Sequence, residues 1–255
     1  MANIESGGAS SSLFARKGKL GRALTDIEIS SPSLSSKSSE PTLPKKGKLK
    51  KAEQDAFLAQ EKAYLDAILG LVEPAKGRDM AEIKAKIASL VALSGDSNLR
   101  VLAAGKTEHS YGLTFAWDDD AVTRIGTGLH KVPLARMDQM FMTLQSQGGL
   151  LLQEVIRIIG PFPNVLNTLS GMTKVVSGRE MTFTIDSVID GTGKELVGEE
   201  PRCVNLKVPY ASERALIVDA AEEGEDPKYL IFMGEDDVDG KLYDANLGED
   251  KKNKI

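Results

Sequence analysis

The sequence predicts a mainly β protein with N-terminal helices (α+β), an antiparallel β-barrel preceded by a helical pair and a disordered N-terminal arm. Three observations carry that prediction. Leu150 to Gly160 is a long apolar strand whose two faces are both mainly hydrophobic, with Leu152, Ile156 and Ile158 on the parity of Glu154, and Val155 and Ile159 on the parity of Gln153 and Arg157. About eight short alternating runs follow one another after Arg100, joined by brief Gly, Asp and Pro turns. Before them, apolar residues recur at helical rather than strand spacing.

Residues 1–50 form a Ser-rich basic arm, with clusters at Ser10–Ser12, Ser30–Ser31, Ser35–Ser36 and Ser38–Ser39 and too few apolar side chains to offset the entropy of ordering them. The same composition is that of a candidate organelle transit peptide. Residues 1–51 hold ten Lys or Arg against four acids, a local charge of +6, which leaves −11 on the rest of a chain whose net charge is −5. A basic arm on an acidic body suits an anionic membrane surface, an acidic protein partner or an import receptor, and argues against a nucleic-acid binder.

Residues 51–98 read as a helical pair. Phe57, Leu58, Tyr64, Leu65, Ile68, Leu69 and Val72 share one face, Pro74 and Gly77 break the run, and Asp79 with Glu82 makes a capping box for a second stripe of Met80, Ile83, Ile87, Leu90 and Val91. The pair is expected either as a hairpin or across the mouth of the barrel.

Residues 99–234 form the barrel. Tyr111, Leu113, Phe115 and Trp117 alternate with smaller residues, Asp118-Asp-Asp120 is a turn, and Val122 to Ile125 is a short strand. Arg136 to Leu144, carrying Met137, Met140, Phe141 and Met142, reads as a short helix or an irregular crossing with an adaptable apolar surface. Strands are expected over Leu169–Val176, Glu180–Val188, Val204–Val208, Ala215–Val218 and Tyr229–Met233. Residues 235–255 are expected to be a flexible charged tail.

The chemistry-bearing patterns are sparse, and the prediction is of no catalytic residue, metal or cofactor. Cys203 is the single cysteine, which excludes an intrachain disulfide, and His109 and His130 lie in different segments. Glu235-x-Asp237-x-Asp239-Gly240 imitates the start of a calcium loop, but Asn246 stands where a bidentate Glu belongs. Asp186, Asp190 and Arg157 are the candidates for an enzymatic alternative. No run is long and apolar enough for a transmembrane helix.

Two stretches resemble a known family. Val132-Pro-Leu-Ala-Arg-Met-Asp-Gln139-Met-Phe141 is similar to the Pro-Leu-x-Arg-x-x-Gln-aromatic segment of the plastid lipid-associated proteins, or fibrillins. Val208-Pro-Tyr-Ala-Ser-Glu-Arg-Ala-Leu-Ile-Val218 followed by Tyr229-Leu-Ile-Phe232 resembles their C-terminal strand pair. The resemblance spans about residues 52–233. It implies a lipocalin-like barrel in a plastid, thylakoid-associated or stromal, that binds or organises small apolar molecules such as carotenoids, quinones or fatty acids at membranes or lipid globules, without catalysis.

The expected ligand wall is Tyr111, Leu113, Phe115, Trp117, Ile156, Ile158, Met181 and Phe183, joined by Ile231 and Met233, with Tyr210 and Arg157 fixing a polar headgroup. The same side chains could instead meet one another and leave no cavity. The partners expected are therefore a small apolar ligand or a lipid surface. An alternative is an assembly scaffold for a membrane-associated complex, docking a protein partner through the N-terminal basic arm and the Met-rich surface.

Overall fold

The computed structural model describes residues 51–73, 79–94, 99–196 and 200–246. The predicted arm, the break between the two long helices and the end of the tail lie outside them. Helix α1 (Lys51–Val72) and helix α2 (Met80–Ser94) follow the predicted stripes, and Asp79 caps α2 by accepting from the Ala81 and Glu82 amides at 3.0 and 3.1 Å. Leu65, Ile68 and Val72 of α1 and Ile83, Ile87 and Leu90 of α2 bury together against Phe115, Tyr210, Ala215, Ile217 and Ile231. The two helices therefore pack together, as the first of the two expected arrangements has it, and cover the outer wall of the barrel rather than its mouth.

The barrel is a closed antiparallel ring of eight strands: β1 (His109–Ala116), β2 (Ala135–Leu144), β3 (Gly149–Ile158), β4 (Val165–Ser177), β5 (Glu180–Ile189), β7 (Arg202–Ala211), β8 (Ala215–Asp219) and β9 (Tyr229–Gly234). Their order is β4-β3-β2-β1-β9-β8-β7-β5, and the β4–β5 pairing closes the ring, while the two-residue β6 (Glu195–Leu196) extends β5 at its end. Closure leaves the ring without the open edges that invite association.

Two bulges decide which side chains face inward. In β1, Leu113 pairs with Phe232 but Phe115 pairs with Ile231, so Thr114 is an extra residue. Tyr111 and Leu113 consequently pack into the barrel, whereas Phe115 and Trp117 turn outward to the helices. In β2, Met137 pairs with Ile156 and Gln139 with Val155, which makes Asp138 the extra residue. This interruption hides an ordinary strand. Arg136 to Leu144 is not a helix or crossing, and its Met-rich surface is not a surface, because Met140 and Met142 are 1% and 0% exposed inside the barrel.

Short helices close both ends. Helix α3 (Leu99–Ala104), which the sequence reading omitted, inserts Leu99 and Leu102 at the end where β1 begins. Helix α4 (Asp119–Ile125) replaces the expected strand at Val122–Ile125 and inserts Ala121, Val122 and Ile125 at the other end. Its cap is Asp118, whose carboxylate accepts from the Ala121 amide at 2.7 Å. A last helix, α5 (Val238–Asn246), lies where a flexible tail was expected, with Leu242 and Ala245 buried against Phe141 and Val155 on the outer face of β2 and β3. Asp237 caps it through the Gly240 amide at 3.0 Å and Glu235 pairs with Lys241, so the calcium-like acids serve the start of this helix. No helix among the described residues is long and apolar enough to cross a membrane.

Candidate ligand-binding site

Inside the barrel, Tyr111, Met142, Leu152, Met181, Phe183 and Phe232 belong to one continuous cluster of buried side chains. The lumen therefore holds packed side chains, the second of the two arrangements the sequence allowed. Toward the α4 end this apolar filling gives way to a polar layer. Glu154 is 0% exposed and accepts from the Thr127 amide at 2.8 Å and the Thr127 hydroxyl at 2.5 Å. Removing a carboxylate from water costs several kcal/mol, which these two donors and a nearby cation offset.

That cation is Arg202, which donates to the Gly126 and Ile125 carbonyls at 2.8 and 2.6 Å. It fastens the C-terminal end of α4 over the lumen. Burial draws the guanidinium below the usual arginine range, and Glu154 pulls it back up. Asn167 pairs across the sheet from Glu154, and both polar atoms of its amide are buried without a hydrogen-bond partner.

At the α3 end lies a cleft of about 340 Å3 between α1, α3 and the β7–β8 turn. Phe57, Leu58, Val101 and Leu102 give it an apolar side, and Glu61, Tyr210, Ser212, Glu213 and Arg214 a polar one. Glu61 falls on the apolar stripe of α1 at helical spacing from Phe57 and Leu65, and it is 2% exposed. The Tyr210 hydroxyl donates to its carboxylate. Burial, reinforced by that bond to Glu61, pushes the Tyr210 phenol well above the ordinary tyrosine range, with Ser212 and Arg214 opposing. Tyr111 is raised as well, first by burial and then by Glu213, and donates to the Ser212 carbonyl at 2.9 Å. Arg214 donates to the Leu58 carbonyl at 3.4 Å, tying the turn to α1.

The cleft thus sets the Arg214 guanidinium and the Glu213 carboxylate beside an apolar wall, with the Tyr210 phenol at its base held by Glu61. This arrangement can hold an amphipathic molecule, since a few fixed polar groups orient what the apolar wall retains. A second cavity, of about 390 Å3, lies between the outer face of β1 and β2 and helix α5, and is more polar, with Gln139, Thr114, Glu235, Lys241 and Asp244 in its lining.

The predicted wall residues divide into three groups. Tyr111, Leu113, Ile156, Met181 and Phe183 face the filled lumen, and Ile158 is half-buried near its rim. Phe115, Trp117, Ile231 and Met233 lie outside it, against α1 and α2; Trp117 makes edge contacts with Phe115 and Tyr229 and carries Lys84 over its ring at 5.0 Å. Tyr210 alone of the expected residues lines the cleft, and Arg157 sits across from Arg136 on the outer face of the β2–β3 pair. Asp186 is exposed on β5, and the Asp190 carboxylate accepts from Thr192 and Lys194 within its own turn, which holds it below the usual carboxylate range. Glu61 and Arg214 were missed. The polar break in the α1 stripe was the available signal for Glu61. Compared with known families and curated proteins, the chain matches no family model and no curated relative.

Proposed function

We propose that this protein is a non-enzymatic binder of a small apolar molecule with one polar end, and that the molecule sits in the cleft at the α3 end rather than in the barrel lumen. The observation that carries the reading is the cleft itself, 340 Å3 with apolar residues from α1 and α3 on one side and Tyr210 and Arg214 on the other. Burial of apolar ligand surface supplies about 25 cal/mol per Å2, and the Arg214 guanidinium orients the headgroup. The likeness of Val132–Phe141 and Val208–Val218 to plastid lipid-associated proteins supports a carotenoid, quinone or fatty acid as the ligand class. It also supports a plastid location at membranes or lipid globules.

The test is extraction of the protein purified from its native source, followed by mass spectrometry and titration of the recovered molecule back onto the protein. A stoichiometric apolar molecule whose affinity falls on replacing Val101 by Asp or Arg214 by Gln is the expected result. A protein that carries nothing and takes up no quinone or fatty acid overturns the reading.

The packed lumen favours one other reading, an assembly scaffold that holds a protein partner through the basic residues 1–51. A partner that is retained by the whole chain and lost on deleting those residues, with the cleft empty, is the outcome that selects it.

A further inference from the structure

The α4 end of the barrel carries a feature that neither the cleft nor the lumen uses. The chain turns into β2 through Val132-Pro133-Leu134-Ala135, closed by a hydrogen bond from the Ala135 amide to the Val132 carbonyl at 2.9 Å. Proline in the second position and a positive φ in the third make this a type II turn, whose third residue is ordinarily glycine or asparagine. Here it is Leu134, at φ +71°, with its side chain 65% exposed. A bulky apolar residue in a left-handed conformation, facing solvent, helps neither the turn nor the core.

Its surroundings repeat the pattern. The Ile159 amide donates to the Leu134 carbonyl at 2.7 Å, which joins this turn to the β3–β4 loop. Across the two loops Val132, Leu134, Ile159 and Phe162 are 52%, 65%, 56% and 60% exposed, and Pro133, Pro161 and Pro163 are exposed among them. Segments 129–136 and 157–164 contain Lys131, Arg136 and Arg157 and no acid of their own, in a chain with a net charge of −5; Lys131 is paired with Asp120 of α4, and Arg136 is exposed. Arg136 and Arg157 are direct cross-strand partners immediately behind the apolar tips.

We propose that this end of the barrel docks on a lipid surface bearing anionic headgroups, with Val132, Leu134, Ile159 and Phe162 entering the headgroup–acyl boundary and the exposed Arg136 lying at headgroup level. Apolar tips backed by cations are the composition that binds such an interface, each cation adding to the apolar term. The proposal deepens the membrane part of the reading above. It rests on a surface at the opposite end of the barrel from the cleft, so an empty cleft leaves it standing and its own failure leaves the cleft intact.

The test is co-sedimentation of the full chain with vesicles of phosphatidylcholine alone and of phosphatidylcholine mixed with phosphatidylglycerol. The proposal expects binding to the mixed vesicles, weakened by about tenfold or more in the Leu134→Gly/Phe162→Ser double variant, each side chain contributing burial of its exposed area. It expects Arg136→Gln to cut binding to the mixed vesicles about fivefold while leaving phosphatidylcholine binding unchanged. Thermal unfolding of the same samples shows whether the variants are folded, and Arg136→Gln, on an exposed side chain, decides the matter if the double variant is not. Absence of vesicle binding by the full chain overturns the proposal. So does undiminished binding by folded variants, which would assign the attraction to another surface such as the basic arm.

Discussion

Replacing Gly126 by alanine tests the polar layer directly. Gly126 has φ −94° and ψ −165°, an extended conformation open to any residue, so its backbone does not require glycine. Space does. A β-carbon built there would stand 1.8 Å from the Glu154 Oε1 atom and 3.1 Å from the Met140 methyl. The carboxylate must then leave its position between the Thr127 amide and hydroxyl while remaining in a site that is 0% exposed. Hydrogen bonds to a charged group are each worth about 1.5–3 kcal/mol, so losing or distorting both costs about 3–5 kcal/mol. For a folded unit of this size that lowers the melting temperature by about 6–20 °C. Urea unfolding followed by circular dichroism measures it. The mechanism also predicts coupling: in a Glu154→Ala background the obstructing carboxylate is absent, so the added methyl costs at least about 2 kcal/mol less than in the native background. A Gly126→Ala variant within about 1 kcal/mol of the native protein, or a cycle without coupling, would refute the reasoning.

Further expectations follow from the same geometry. Tyr210→Phe leaves the buried Glu61 carboxylate without its phenol donor and is expected to cost about 2–3 kcal/mol in urea unfolding, with most of that loss removed in a Glu61→Leu background. Leu134→Gly removes a strained conformation worth about 1–2 kcal/mol and adds glycine's entropy cost of about 0.5–1 kcal/mol, so stability should hold or rise slightly; a loss above about 1 kcal/mol counts against the turn assignment. Tyr111, Tyr210 and Tyr229 are all raised, chiefly by burial. The unfolded chain gives up these protons near pH 10 while the folded chain keeps them, so their contribution is complete below pH 10 and is lost as pH rises beyond it. Absorbance titration at alkaline pH should show Tyr111 and Tyr210 ionising only with unfolding.

Much of the architecture was legible in the chain, and the failures have two causes. The stripes of α1 and α2, the Asp79 cap and the main run of each strand from Leu150 onward fold as read, even though the β4–β5 and β7–β8 pairings also shift register. Where a bulge adds one residue, the period breaks: Thr114 sends Phe115 and Trp117 to the opposite face, and Asp138 makes the Met140–Leu144 strand resemble a helix. Helices α4 and α5 were missed because acidic stretches at Asp118–Asp120 and Glu235–Asp237 read as a turn and a tail, although an aspartate before an apolar run is also a cap signal. The site was harder still. Its parts come from residues 57–61, 101–102 and 210–214, which only the closed ring brings together, and no local pattern records a cleft.

The pairing of β1 with β9 sets Tyr111 beside Gly234. More than a hundred residues separate these partners, so a nascent chain leaving the ribosome exposes the first strand long before its neighbour has been synthesised. During that interval one flank of the half-built ring has nothing to bond with, and its inward-facing Tyr111 and Leu113 are open to water. Truncations that remove β9 should therefore precipitate rather than yield a smaller barrel.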